Sequence, residues 1–200
     1  MAAKKLAFII SRVLGPVPLL CFLWLVVALK SGIGIWRALW VYPLILLVTL
    51  LFPIALTTYL VIVKKVADIE WKNIADRRKF LVPIGIYSVS TLIILSYLLT
   101  NPTTFHLVLL FCAIIVITII IYAFTNFKIS GHIIVATATI ANINLFYHQK
   151  FLWLFLLLIP IIWARYTLKV HTLSELIGGF FLTAGILFLG LFLFGYPAVS

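Results

Sequence analysis

The chain reads as all-α, a polytopic membrane helix bundle of six to seven transmembrane helices, and three observations lead there. Its 200 residues are 66% hydrophobic and only 10% charged, outside the mixture that a soluble domain carries. The apolar residues come in continuous runs, long enough to cross a hydrocarbon layer about 30 Å thick, and not in the alternation of strands. The charges collect in short segments between those runs, with 15 Lys and Arg against 4 acidic residues for a net charge of +11. That excess reads as basic membrane-flanking loops and anion handling. No Lys/Arg run interleaved with exposed aromatics supports nucleic-acid binding. Cys21 and Cys112 fall inside apolar runs, so neither a disulfide framework nor a metal site is implied.

Taken in order, the first span is expected over Val13 to Leu29, because the apolar stretch behind the basic lead MAAKK continues without a small-residue cleavage site. A glycine-containing turn, Lys30 to Arg37, precedes a second span over Leu39 to Val63, with room for bends near Pro43 and Pro53. Lys64 to Lys79 is the only extended polar stretch, and its plainest reading is a solvated loop. Spans over Leu81 to Leu99 and Phe105 to Thr125 make a hairpin around the turn signal TNPTT. The next helix, Gly131 to Tyr147, is rich in Ala, Thr and Asn, a composition that favours close helix packing over lipid contact. A helix from Phe151 through Pro160 towards Val170 follows, then a final span over Thr172 to Phe194 with Gly178, Gly179 and Gly185 as packing sites. No internal repeat or soluble second domain is visible, so residues 1–200 form a single integral membrane domain. With seven spans, the polar clusters at Lys64 to Lys79, Lys128 to His132 and Arg165 to His171 follow spans two, four and six. All three then emerge at one membrane boundary, which is where an active site is expected.

Two of these clusters carry chemistry. Trp163 to Gly179, WARYTLKVHTLSELIGG, puts Arg165, His171 and Glu175 against the start of an apolar run, where ionisable groups are expensive and mark function. On a helix His171 and Glu175 would sit at i and i+4 on one face, so that the carboxylate holds the second nitrogen of the imidazole. Ser130-Gly131-His132 opens the central helix with a hydroxyl, backbone N–H groups that glycine leaves accessible, and an imidazole. Free N–H groups at a helix start bind phosphate, and Arg165 is a planar donor suited to two phosphate oxygens. Taken singly, each residue has a plain reading: an N-cap serine, an interfacial histidine, an anchoring arginine.

ISGH at Ile129 to His132 and AR-x5-H-x3-E at Ala164 to Glu175 resemble the second and third signatures of the type 2 phosphatidic acid phosphatase superfamily, usually PSGH and SR-x5-H-x3-D. The first signature, K-x6-RP, would lie within Lys72 to Pro83, and the resemblance covers about residues 60–185. Ile129 stands for a proline, Ala164 for a serine and Glu175 for an aspartate, and Lys72 is seven residues before Lys79 with no proline directly after.

The resemblance implies a membrane hydrolase acting on a lipid phosphate or diphosphate through a phosphohistidine, with no cofactor and no metal. By position, His171 would attack phosphorus, Glu175 would orient it, and His132 would serve as general acid and then base. Arg165, Ser130, Gly131 and one or more of Lys72, Arg77, Arg78 and Lys79 would bind phosphate. The partners expected are the lipid phosphate substrate and membrane lipid. The alternatives are a membrane anion transporter, for which Asn142, Asn144 and the threonines are the deep polar candidates, and a noncatalytic membrane scaffold. Lys4, Lys5, Arg12, Lys64 and Lys65 share the site's face, so the positive-inside rule puts that face in the cytoplasm. Small size and the lack of a targeting peptide suit a prokaryotic inner membrane.

Overall fold

The computed structural model describes residues 2–67, 74–76, 79–80, 82–97 and 102–194, and every regular element among them is helical. Among the described residues, four helical stretches are long and apolar enough to cross a membrane: Ala2–Lys30, Ile35–Ile62, Phe105–Phe124 and Leu173–Leu193. The chain is an all-helical membrane protein. Three further apolar helices, Gly85–Ile94, Gly131–Phe146 and Leu152–Thr167, are shorter than these; they are the ones that the sequence count of seven includes. The chain forms two compact units, residues 1–26 with 129–200 and residues 27–128.

The first unit contains α1 (Ala2–Val13), most of α2 (Pro16–Lys30), α8 (Gly131–Phe146), a 3-10 stretch (Leu152–Leu157), α9 (Leu158–Thr167) and α10 (Leu173–Phe194). The first expected span, Val13 to Leu29, corresponds to α2, and α1 precedes it in a helical stretch that runs from Ala2 to Lys30. Its break falls at Gly15-Pro16. Pro16 has no N–H to give the carbonyl of Arg12, and a Cβ on Gly15 would lie 2.6 Å from the carbonyl oxygen of Ser11, so only glycine fits so close an approach.

α8 is the central helix of this unit, as its Ala, Thr and Asn content suggests. Its residues from Ile133 to Asn144 are nearly all buried, and Ile133, Ala136 and Ile140 pack with Leu158 and Ile161 of α9 and Leu176 of α10. Lipid tails are as apolar as these side chains, so what holds the helices together is close packing. Gly179 shows the fit: a Cβ there would lie 3.2 Å from the carbonyl oxygen of Ser130 and 3.4 Å from the side chain of Ile133. Gly185, expected to pack in the same way, would present its Cβ to nothing within 4 Å. The outward face of α10 carries exposed Ile177, Phe181, Phe188 and Phe192, spaced for one lipid-facing stripe.

α9 ends in a Schellman turn. Val170 N–H bonds to the Arg165 carbonyl and Lys169 N–H to that of Tyr166, while Lys169 takes a left-handed φ of 55°. The reversal delivers His171 beside the end of the helix that carries Arg165. α8 closes similarly, with His148 and Gln149 left-handed. There Asn144 clamps the returning chain: its Oδ1 accepts from Phe151 N–H at 3.0 Å, and its Nδ2 donates to the Phe151 carbonyl at 3.1 Å.

The second unit holds the end of α2, α3 (Ile35–Leu46), α4 (Phe52–Ile62), a single turn α5 (Ile74–Asp76), α6 (Val82–Ser96) and α7 (Pro102–Phe124). A π-helical turn, Leu47–Leu51, joins α3 to α4 immediately before Pro53. The bend expected near that proline follows from the hydrogen bond its ring nitrogen cannot make. α6 and α7 pack as the expected hairpin.

Candidate active site

The α9–α10 turn builds a held imidazole. His171 Nδ1 lies 3.0 Å from Glu175 Oε2, and the histidine is buried. The sequence reading puts both residues on a helix, but His171 precedes α10, whose N-cap position is Thr172. The contact is made by a capping box instead. Thr172 N–H donates to Glu175 Oε2 at 3.1 Å, and Glu175 N–H donates to Thr172 Oγ1 at 3.3 Å. Glu175 therefore closes the first turn of α10 and grips the ring of His171 with the same oxygen. Nε2 is the nitrogen that Glu175 does not engage.

The entrance of α8 is tied to that turn. Ser130 N–H donates to the Glu175 backbone carbonyl at 3.3 Å, across the close approach that Gly179 permits. Ser130 stands at the N-cap with extended dihedrals, φ −79° and ψ 110°, but its side chain makes no capping bond. It is 0% exposed, and its hydroxyl oxygen has no hydrogen-bond partner. An N-cap serine normally spends its oxygen on the N–H groups of the first turn; the Ser130 oxygen is not used in that way. Gly131 is exposed, with nothing within 4 Å of where a Cβ would be, so the start of α8 is open at that residue.

Arg165, in the last turn of α9, is 2% exposed. Its Nη1 donates to Ser11 Oγ at 2.9 Å, and His132 Nε2 lies 3.4 Å from the same oxygen. Two residues from separate sequence clusters thus meet at one hydroxyl. A neutral hydroxyl leaves the guanidinium charge uncancelled by that contact. Arg165, His171 and Arg12 are all within electrostatic range of His132.

His171, Glu175, His132, Arg165, Ser130 and Gly131 accordingly share the first unit. Lys72, Arg77 and Arg78 lie outside the described residues. Lys79 belongs to the second unit, exposed, with its ammonium 5.2 Å from the centre of the Phe80 ring.

Sequence reasoning missed Ser11 and Thr172. Thr172 had a signal, since T-L-S-E before an apolar run is a capping-box pattern. Ser11 had none, being a lone hydroxyl in an amphipathic helix.

No protein-family model, no curated protein and no solved structure significantly matches the chain.

Proposed function

We propose that this protein is an integral membrane phosphatase that hydrolyses a lipid phosphate or diphosphate through a phosphohistidine on His171. The observation that carries the reading is the hydrogen bond from Ser130 N–H to the Glu175 carbonyl. It joins the two halves that phosphoryl transfer needs: a carboxylate-held imidazole, and a helix entrance with an open glycine and a buried, unpartnered hydroxyl.

In the first step Nε2 of His171 forms the bond to phosphorus as the bond to the lipid oxygen breaks. Glu175 on Nδ1 stabilises the positive charge that develops on the ring. His132 gives its proton to the departing alkoxide. In the second step it takes a proton from water, whose oxygen bonds to phosphorus as the N–P bond breaks, returning His171 to its starting state. An imidazole can give up and take back a proton at one ring nitrogen while the other stays hydrogen-bonded, which suits both tasks. Arg165 and the α8 N-terminus meet the charge on the equatorial oxygens, a stabilisation largest where water is excluded. The motif resemblance supports the same assignment of roles. The full count of six to seven spans, a prokaryotic inner membrane and the cytoplasmic placement of the site belong to this proposal, the last on the exposed Lys4 and Lys5 of α1.

An anion transporter would need deep polar groups left available to a solute. Asn142 Nδ2 donates to the Ala138 carbonyl at 2.7 Å and Asn144 clamps Phe151, so both are engaged by the chain itself; the buried, unpartnered hydroxyls of Thr137 and Thr139 are the groups that such a reading would use.

The test is phosphate release by the purified protein from phosphatidate, phosphatidylglycerol phosphate and isoprenyl phosphates and diphosphates in detergent with chelator present. Release from at least one substrate, lost in His171→Ala, is expected; release from none by the wild type, or undiminished release by the variant, rejects the proposal.

A further inference from the structure

We propose that Ser11, in the N-terminal helix, is a positioning residue of this site, holding Arg165 and the ring of His132 through one hydroxyl. The name of the reaction rests on the phosphatase reading; the contact does not.

Ser11 is buried on the face of α1 that also buries Ala7, one helical turn earlier, and that face packs on α9. The neighbouring Arg12 points elsewhere, exposed, with its guanidinium 5.1 Å from the centre of the Phe8 ring. So in this basic helix it is the hydroxyl, and not the charge beside it, that meets Arg165 and His132. The Ser11 oxygen accepts from Arg165 Nη1 at 2.9 Å. Its second lone pair can accept a hydrogen carried on His132 Nε2 at 3.4 Å, a contact that leaves the lone pair of the neutral ring on Nδ1. A hydroxyl has two lone pairs and one hydrogen. The oxygen can therefore accept from Arg165 and from Nε2 whether or not Nδ1 is protonated. The contact survives both protonation states, as a partner must for a ring that is first acid and then base. Alanine can do neither, and threonine can do both.

Among the described residues, Arg165 of α9, His171 and Glu175 of the α9–α10 turn, and Arg12 of α1 are the charged or titratable groups around this pair. Ser11 changes none of those charges. Its removal should therefore act through geometry and tautomer.

The experiment compares the full-length wild type with Ser11→Ala and Ser11→Thr, purified in detergent, for phosphate release over a range of pH. Ser11→Ala is expected to lower kcat at least ten-fold, with a smaller rise in KM and a displaced limb of the pH profile, while Ser11→Thr recovers to within about three-fold of wild type. A fall in kcat of less than ten-fold in Ser11→Ala, or a loss that threonine does not restore, overturns the proposal. Nitrogen NMR of ring-labelled histidine gives a readout independent of turnover. Neutral His132 should carry its hydrogen on Nε2 in wild type and lose that preference in Ser11→Ala. If the wild type releases no phosphate, the phosphatase reading fails and this spectrum alone decides: an unchanged tautomer rejects the role of Ser11, and a changed one supports it.

Discussion

Thr172 and Glu175 bond each other reciprocally, backbone N–H to side-chain oxygen in both directions, at 3.1 and 3.3 Å. The pair starts α10, and through the same Glu175 oxygen it orients His171. Thr172→Ala removes one half of the box. It should cost about 1 kcal/mol, the usual value of a lost cap, read as a lowered midpoint of thermal unfolding in detergent. Because Glu175 is then less well placed, phosphate release should fall about ten-fold with little change in KM, a pattern that marks a loss confined to the transition state. A stability loss with full activity would mean that His171 and the backbone N–H of residue 172 hold the carboxylate in place without the threonine side chain.

Gly179 and Gly185 lie on one helix and differ in what a Cβ would meet. At Gly179 it would press on the Ser130 carbonyl at 3.2 Å, and at Gly185 it would meet nothing within 4 Å. Gly179→Ala should destabilise by about 1–3 kcal/mol through overpacking, and it should lower activity by moving the α8 entrance away from the α10 turn. Gly185→Ala should change stability by no more than about 0.5 kcal/mol. Thermal unfolding of the two variants side by side checks this, and equal effects would contradict the close approach of α8 and α10.

Lys169 holds a left-handed φ of 55° at the end of α9, a conformation that costs a side chain about 1 kcal/mol relative to glycine. Lys169→Gly should raise thermal stability by about that amount while preserving the Schellman turn, and activity should stay within about two-fold of wild type. Lower stability would show that the lysine side chain makes a compensating contact.

The spans were legible because hydropathy is a local property, readable over twenty residues at a time. Helix breaks were less so. Pro53 announced its bend, but the start of α1 at Ala2 was hidden behind Lys4 and Lys5, which look like a leader and are the exposed face of an amphipathic turn. Within the candidate site, the four-residue spacing of His171 and Glu175 foretold their contact for the wrong local reason: a capping turn, and not a continuous helix, brings them together. Ser11 was invisible because its importance depends on α1 lying against α9, a pairing between segments 154 residues apart that no local pattern encodes. The stretch from Lys72 to Lys79 was singled out by its charge and by a partial match to the K-x6-RP signature, and neither says which side chain points where.

The most direct test of the central claim is chemical trapping on His171. Wild type and the His171→Ala and His132→Ala variants are mixed with phosphatidate or an isoprenyl phosphate labelled with radioactive phosphorus, quenched in alkali after milliseconds to seconds, and the protein-bound label counted before and after mild acid. The account expects an acid-labile, alkali-stable label on wild type, none on His171→Ala, and a longer-lived one on His132→Ala, where water is no longer deprotonated for the second step. Label that persists in His171→Ala, or turnover of the labelled lipid with no protein-bound phosphate in any of the three, would contradict it.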